Sequence, residues 1–313
     1  MLGKTAGGLL WLFRYMERSE NLARLVETGQ RIALTRPDRA ESEWTSVLET
    51  AWARSGYEED HDEVTGEQVI DWLLRSRDNP ASVINCVENA RMNARLVRTA
   101  LTREVWEAVN ECWMTLCDAL SRKITAKELP RILGLIKQRS AFVRGSLHGT
   151  MLRNDIYDFA RLGTFMERAD ATARLLDVKY YVLLPTASGV GSSLDNAQWE
   201  VILRSVSAEG AFRMVHGRVR RAQDIAKFLI LDKRQPRSLA FCYGKIGDNL
   251  AYLESDYGVR LPSHDLVEDI RRDLDRATIE GIFDQGLHEF LQEFLRRNTE
   301  LAAQVEQDYR FSQ

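Results

Sequence analysis

The sequence is poor in residues that break or cross-link a chain. Of its 313 residues only 6 are proline and 19 are glycine, which excludes collagen-like and low-complexity proteins. The 4 cysteines form no C-x-x-C pair, and we interpret them as buried, reduced thiols. Since 44% of the residues are hydrophobic, the chain can build a core, and we expect a folded globular protein.

An excess of charge of one sign is also lacking. The 43 lysines and arginines nearly balance 46 aspartates and glutamates, so the net charge is −3 and gives no bulk attraction to nucleic acid or anionic lipid. No apolar run approaches the roughly 20 residues of a membrane span, and the apolar stretch at residues 6–13 has no cleavage site behind it. We therefore expect a cytoplasmic protein with neither a nucleic-acid nor a membrane partner.

Motifs for metals and nucleotides are missing as well. The 5 histidines form no H-E-x-x-H motif and no pair at spacing i,i+4. The glycine-rich residues 189–193 lack the lysine and the preceding strand of a phosphate-binding loop, so we interpret them as a linker. The sequence predicts no bound metal and no cofactor.

Apolar residues recur at helical spacing through nearly the whole chain. In the first segment Leu9, Leu12 and Met16 lie on one helix face, and runs that alternate as strands do are nearly absent. Breaks rich in Gly, Pro, Ser or acidic residues are predicted at 35–42, 56–66, 185–196 and 256–262. The pattern predicts an all-α fold.

Three segments recur in the same order along the chain. Residues 16–27 (MERSENLARLVE) match 166–177 (MERADATARLLD), residues 44–48 (WTSVL) match 199–203 (WEVIL), and residues 79–86 (NPASVINC) match 235–242 (QPRSLAFC). A repeat this long is unlike a solenoid unit of about 20–50 residues. We therefore predict two internally duplicated halves, 1–150 and 151–313, that form one fused helical bundle with a shared core.

The repeated M-E-R motif has two interpretations. Adjacent residues of a helix point about 100° apart, so Glu17 and Arg18 cannot pair well with each other. If the halves are related by a two-fold axis, Glu17 could pair with Arg168 and Arg18 with Glu167, which would fix the register of the halves. The functional interpretation is a cleft between the halves that holds an anion, a phosphate or a peptide terminus.

Further arginines and acidic residues belong to this region. Glu20 with Arg24, and Asp170 with Arg174, have the i,i+4 spacing of surface ion pairs. Arginines on other helices could reach the same cleft. The candidate cleft residues are Glu17, Arg18, Glu167, Arg168, Arg14, Arg24, Arg174, Arg91, Arg95 and Arg237.

The ordered motifs resemble those of the alpha-E family, a bacterial α-helical domain with an E-R motif, and the resemblance covers essentially the whole chain. The residues that carry it are Leu9, Trp11, Arg14–Arg18, Arg24, Asn79, Pro80, Ser82, Arg91, Arg95, Trp106, Glu167–Asp170, Arg174, Trp199, Asp232 and Pro236–Ser238. Gly7 and Gly8 depart from the family pattern, which has a polar pair there. The resemblance implies a helical protein without a settled activity.

The resemblance also implies partners. Such proteins are encoded beside, or fused to, circularly permuted ATP-grasp ligases, with transglutaminase-like peptidases and sometimes proteasome-like peptidases nearby. An ATP-grasp enzyme forms amide bonds through an acyl phosphate, and transglutaminase-like folds cleave or exchange them. The resemblance therefore implies a system that adds, modifies or removes peptides.

Three hypotheses follow. The first is an accessory component that binds the ATP-grasp ligase or its peptide substrate. The second is an enzyme that uses Glu17 or Glu167 as general acid or base on an anionic or peptide substrate, which a raised carboxylate pKa would favour. The third is a structural homodimer, which requires an exposed apolar helix face. Glutamates fully paired in a closed core would favour the first hypothesis.

Overall fold

Helices are the only regular secondary structure over the residues that the structure describes. A computed structural model describes residues 3–35, 40–183, 193–217 and 221–311, which contain fifteen α-helices and no strand. The predicted all-α class is confirmed. The helices are α1 (Gly3–Thr35), α2 (Ala40–Thr50), α3 (Arg54–Asp60), α4 (Gly66–Leu74), α5 (Val83–Leu96), α6 (Arg103–Ala119), α7 (Leu129–Thr150), α8 (Asp155–Leu183), α9 (Ser193–Ser205), α10 (Glu209–His216), α11 (Ala222–Leu231), α12 (Leu239–Tyr257), α13 (Pro262–Arg276), α14 (Ile279–Gln285) and α15 (Leu287–Asp308).

The helices of the two parts of the chain correspond in order. By their order and their packing neighbours, helices α1–α7 correspond to α8–α13 and α15, and α14 has no counterpart among the described helices of the first part. The chain passes from α7 to α8 between Thr150 and Asp155, close to the predicted boundary of the halves. An origin of this correspondence by duplication stays a prediction from the sequence.

Helices α1 and α8 form the centre of the bundle. They pack against each other, and each also packs against the equivalent neighbours of its own part, α5 and α7 for α1 and α12 and α15 for α8. Buried apolar residues of both parts belong to one continuous cluster. Neither part therefore has a separate core.

The close approach of α1 and α8 depends on a glycine. A Cβ atom built on Gly163 of α8 would lie 2.1 Å from the carbonyl oxygen of Leu10 on α1. That distance is well inside van der Waals contact, and the clashing atom is backbone and cannot move aside. Gly163 therefore sets how closely the two helices pack.

Local details repeat between the two parts. Ser82 caps α5 by accepting a hydrogen bond from the backbone N–H of Asn85, and Ser238 caps α12 by accepting one from Phe241. Each serine satisfies a backbone N–H that would otherwise lack a partner in the first helical turn. These serines begin helices, in keeping with the Pro-x-Ser sequence before each.

The turns after α2 and α9 are also alike. Trp52 has φ 53° and Ser207 has φ 55°, a left-handed conformation that costs a residue with a Cβ atom about 1–2 kcal/mol. The N–H of Trp52 donates to the Glu49 carbonyl at 3.0 Å, and that of Ser207 donates to the Arg204 carbonyl at 2.9 Å. Both turns therefore end their helices with the same backbone geometry.

The predicted breaks are only partly correct. A break at 256–262 is confirmed, because α12 ends before Gly258, whose φ of 65° cannot continue a helix. The break at 56–66 is partly wrong, since α3 covers Arg54–Asp60 and buries Tyr57. Much of the breaks at 35–42 and 185–196, and nearly all of the linker at 189–193, lie outside the described residues. No described helix is both long and apolar enough to cross a membrane.

Candidate functional site

The two M-E-R motifs meet where α1 crosses α8. Arg168 donates from Nε and Nη2 to the two carboxylate oxygens of Glu17, at 2.9 Å each. Arg18 donates in the same manner to Glu167, at 2.6 and 2.9 Å. The crossed pairing predicted from the repeat is therefore present, in the two-bond geometry that suits guanidinium and carboxylate best.

Two further arginines hold the glutamates of α1. Arg237 lies 3.2 Å from Glu17 and donates to Glu20 at 2.7 Å. Arg144 on α7 donates to Glu17 at 3.3 Å and also to Glu20. Arg237 was predicted for this site, whereas Arg144 was not, because no repeated motif marks it. Arg144 lies next to the apolar face of α7, between the buried residues Ser140 and Leu147, and this position in the sequence could have indicated that its side chain borders the core.

Glu20 belongs to the buried site, which corrects the interpretation of Glu20 and Arg24 as a surface pair. The side chain of Glu20 is 1% exposed, although Arg24 binds it as the i,i+4 spacing predicts, at 3.0 and 2.8 Å. The equivalent pair of Asp170 and Arg174 is less buried, with bonds of 2.6 and 3.0 Å. The i,i+4 spacing shows the pairing within α1, whereas the burial of Glu20 depends on the neighbouring residues Arg144 and Arg237.

Glu167 has fewer partners than Glu17. Besides Arg18, it accepts one hydrogen bond from Nε of Arg14, at 3.2 Å. Counted over the described residues, the cluster joins seven arginines to four carboxylates. It contains Arg14, Arg18, Arg24, Arg144, Arg168, Arg174 and Arg237 with Glu17, Glu20, Glu167 and Asp170. An excess of three positive charges remains, which favours an anionic ligand.

The surroundings keep the three glutamates ionised. Burial would raise the pKa of Glu17, but the guanidiniums of Arg168 and Arg237 outweigh it and hold that pKa well below its usual range. Burial likewise opposes Arg18 and Arg14 at Glu167, and the pKa of Glu167 is again lowered. The pKa of Glu20 is lowered too, against both burial and the charge of Glu17. A general acid or base near neutral pH needs the opposite shift.

A cavity of about 270 Å³ lies beside the crossed pairs. The turns after α2 and α9 both contribute to its wall, through Trp52 and Val206. Its charged lining residues are Arg18, Arg24, Arg174, Arg237, Glu167 and Asp170. Its apolar lining residues include Leu22, Leu25, Ala81, Ala171, Leu175 and Val206. The cavity can therefore take a small ligand with a charged end and an apolar part.

Two polar groups on the cavity wall lack a hydrogen-bond partner among the described residues. They are Nδ2 of Asn21 and Oγ1 of Thr172, both buried atoms. Oδ1 of Asn21 accepts a hydrogen bond from Arg237 at 2.9 Å, which fixes the amide so that Nδ2 is the free donor. Buried polar groups are nearly always hydrogen-bonded, so these two groups are candidate contacts for a polar ligand.

Arg91 and Arg95 do not reach this site, and their assignment to it is wrong. Arg91 donates to Asn110 on α6 at 2.8 Å and covers the ring of Trp113, and Arg95 is exposed. The physical reason is the direction of α5, whose apolar face packs on α1 and so turns its arginines away from α1. The other eight predicted residues lie in the cluster.

The cluster contains no arrangement typical of a metal centre. Over the described part of the chain, no three side chains of His, Cys, Asp or Glu are grouped so that they could hold a metal ion. Cys86 and Cys242, both buried close to the crossed pairs, have their pKa raised to about 12 by burial. These thiols stay protonated and are poor nucleophiles.

These features define a class of helical proteins: the fold is all-helical, the E-R motif occurs twice, and the two motifs form crossed ion pairs. The chain belongs to the Alpha-E family, described as a predicted alpha-helical domain with a conserved ER motif, and the family's sequence model matches residues 1–309. The resemblance inferred from the motifs is therefore confirmed. No curated protein and no solved structure matches the chain significantly.

Proposed function

We propose that the protein is a binding component of a bacterial amide-ligation system, without catalytic chemistry of its own at the crossed pairs. Its partners in this proposal are a circularly permuted ATP-grasp ligase, a transglutaminase-like peptidase and, in some systems, a proteasome-like peptidase. The proposed location is the cytoplasm, where ATP is available to the ligase. The partners are inferred from the family resemblance alone.

One observation carries the binding role. The cavity is lined by guanidiniums in excess of carboxylates, and every glutamate of the cluster is already ion-paired. Paired carboxylates with lowered pKa cannot exchange protons near neutral pH, whereas guanidiniums bind oxyanions without changing their own charge. This combination supports recognition and counts against Glu17 or Glu167 as a general acid or base.

The proposal gives the site a role beside the ligase. A ligase that works through an acyl phosphate needs its peptide substrate held in place, and a helical partner with a basic cavity could hold that peptide. The rigid bundle around α1 and α8 would hold that substrate with little loss of conformational entropy on binding. A binding component of this kind would speed the ligase without supplying reacting groups.

Co-purification with the ligase tests the partnership. The tagged protein would be co-expressed with a circularly permuted ATP-grasp protein from the same genome, and the complex would be sized by gel filtration. The rate of ATP-dependent amide formation would then be measured with and without the protein. We expect a stable complex and a faster ligase. Absence of a complex together with an unchanged rate contradicts the proposal.

A pair of variants makes this test specific. Arg24→Ala removes a guanidinium from the cavity, and we expect it to reduce the effect on ligation rate. Arg103→Ala removes an arginine on α6 that is 84% exposed and pairs with Glu107, so it serves as the matched control. Equal loss with both variants would show that the cavity has no part in the effect.

A further inference from the structure

The two parts of the chain differ at one position beside the cavity. Arg237 and Ala81 each precede the serine that caps the next helix, so they occupy equivalent places. The guanidinium of Arg237 fills the space beside Glu17, Glu20 and Asn21. Ala81 has no such group, and it lines the cavity together with Glu167 and Asp170. The cavity therefore extends into the place where the other part has an arginine.

The donors of the cavity belong to one group of contacting residues. Arg24 and Arg237 both bind Glu20, and Arg237 also binds Asn21; we call Asn21, Arg24 and Arg237 the donor group. Arg24 reaches the turn after α9 as well, donating to the Ser205 carbonyl at 2.8 Å. The unpartnered Nδ2 of Asn21 lies within this group. The N–H groups of these residues would donate hydrogen bonds to an oxyanion.

The acceptors of the cavity belong to a second group. Glu167 and Asp170 on α8 face the cavity together with their partners Arg18 and Arg174; we call these four residues the acceptor group. The guanidinium of Arg174 lies 4.4 Å from the ring centre of Trp52, which is 76% exposed. This group has two carboxylates and two guanidiniums, so it has no net charge to attract a second anion.

The two groups together select among anions. A phosphate offers mostly acceptor oxygens, so it brings few hydrogen-bond donors to the carboxylates of Glu167 and Asp170 on the same cavity. A carboxylate has one charge, and a peptide that carries it also offers amide N–H groups to the acceptor group. The volume of about 270 Å³ lies below the roughly 300–1,000 Å³ of drug-sized sites, so it suits one or two residues.

We propose that the cavity binds the C-terminal carboxylate of a peptide. The carboxylate lies against the donor group, the last side chain enters the space beside Ala81, and the chain leaves past Trp52. Thr172, which is 1% exposed, supplies a hydroxyl from the wall. This assignment rests on the binding role proposed above and names the ligand class of that site.

Peptide binding to the isolated full-length protein tests the assignment. A panel of short fluorescein-labelled peptides that differ in their last residue would be titrated by anisotropy, each with a free and with an amidated C-terminus. We expect at least one free acid to bind and its amide to bind at least about tenfold more weakly, a difference of about 1.4 kcal/mol. Equal binding of acid and amide, or binding of neither, overturns the assignment.

Competition separates carboxylate from phosphate. Acetate and inorganic phosphate would each be added to the protein with the labelled acid bound. We expect acetate to displace the peptide at a lower concentration than phosphate does. The reverse order assigns the cavity to a phosphate group and overturns the proposal.

Substitutions at the two ends of the cavity locate the ligand. Ala81→Arg introduces at this position the arginine that the second part has at Arg237. We expect the larger side chain to fill the space beside residue 81 and to abolish peptide binding. Thr172→Val removes only the unpartnered hydroxyl, and we expect a loss of roughly fivefold, as for one neutral hydrogen bond. Arg103→Ala is the control and should leave binding unchanged.

The folding and the peptide binding of these variants together test the assigned ligand. Circular dichroism shows whether Ala81→Arg is folded; if it is not, Thr172→Val and the exposed Trp52→Ala carry the test. Folded variants that all bind like the unmodified protein overturn the assignment. The ligase is not present in these binding experiments, so a failure to bind peptides contradicts the assigned ligand and does not contradict the partnership with the ligase. Peptide binding combined with no ligase complex contradicts the partnership and does not contradict the assigned ligand.

Discussion

Glu17 on α1 accepts two hydrogen bonds of 2.9 Å from Arg168 on α8, and only 1% of the Glu17 side chain is exposed. The pair joins residues that are 151 positions apart in the chain. With the reciprocal pair of Arg18 and Glu167, it fixes how α1 lies on α8. The cavity lies beside these pairs, so the geometry of the binding site depends on them.

Removal of the Glu17 charge should destabilise the fold. Glu17→Gln leaves Arg168, Arg144 and Arg237 with less compensation in a buried place, and we expect a loss of about 3–5 kcal/mol in the free energy of unfolding. Glu107→Gln, in an exposed pair with Arg103 that water screens, should cost far less. Urea unfolding of both variants measures the difference. Similar losses would show that the crossed pair does not stabilise the fold.

The crossed pairs could be predicted because both partners belong to a motif that occurs twice. Once Glu17 and Glu167 are equivalent, a two-fold arrangement leaves few other partners for Arg18 and Arg168. Helices with strong apolar periodicity were predicted for the same reason, since one helix face is visible in the sequence alone. The short helix α3 was not, because its seven residues are too few to show a period.

The rest of the site depends on how helices pack, which a single segment does not reveal. Arg144 approaches Glu17 and Glu20 only because α7 packs on α1. Arg91 has the same residue type and a helical position, yet α5 directs it to Asn110. The cavity itself forms between turns that are far apart in sequence. The spacing of residues within a helix predicts which side chains share a face, but it does not predict which neighbouring helix packs on that face.

Acid should weaken the fold through the buried glutamates. Their folded pKa is depressed, so their contribution to stability is complete above the ordinary glutamate pKa of about 4.3 and is lost as the pH falls toward the folded value. We expect the urea midpoint to fall steadily below about pH 5. Glu17→Gln should show a shallower decrease over the same range. An equally steep decrease in that variant would assign the acid sensitivity to other groups.

Asp158 should make the fold less stable as the pH rises, whereas the buried glutamates make it less stable as the pH falls. It is 4% exposed at the start of α8, and burial, with Asp256 and Asp155 nearby, raises its pKa to about 7. The unfolded chain therefore loses the proton first as the pH rises, and stability decreases from about pH 4 to pH 7 by up to about 1.4 kcal/mol per pH unit. Asp158→Asn should be more stable than the unmodified protein at pH 8 and similar to it near pH 4.

The control for Asp158 is a substitution of the same kind on the surface. Asp62→Asn changes an exposed aspartate, and its stability should follow that of the unmodified protein between pH 4 and pH 8. Urea midpoints at several pH values compare the three proteins. A constant difference between Asp158→Asn and the unmodified protein across this range would exclude Asp158 as the titrating group.

Gly163 offers a test of the close packing between α1 and α8. In Gly163→Ala the new Cβ atom would lie 2.1 Å from the Leu10 carbonyl oxygen, so the helices must separate. We expect a loss of more than about 3 kcal/mol, since overpacking alone costs about 1–3 kcal/mol and the crossed pairs are strained as well. Gly145→Ala in α7 is the matched control, because nothing lies within 4 Å of its Cβ position. It should gain up to about 1 kcal/mol from helix propensity. If Gly163→Ala were as stable as Gly145→Ala, α1 and α8 could not be in the contact that brings the glutamates to their arginines.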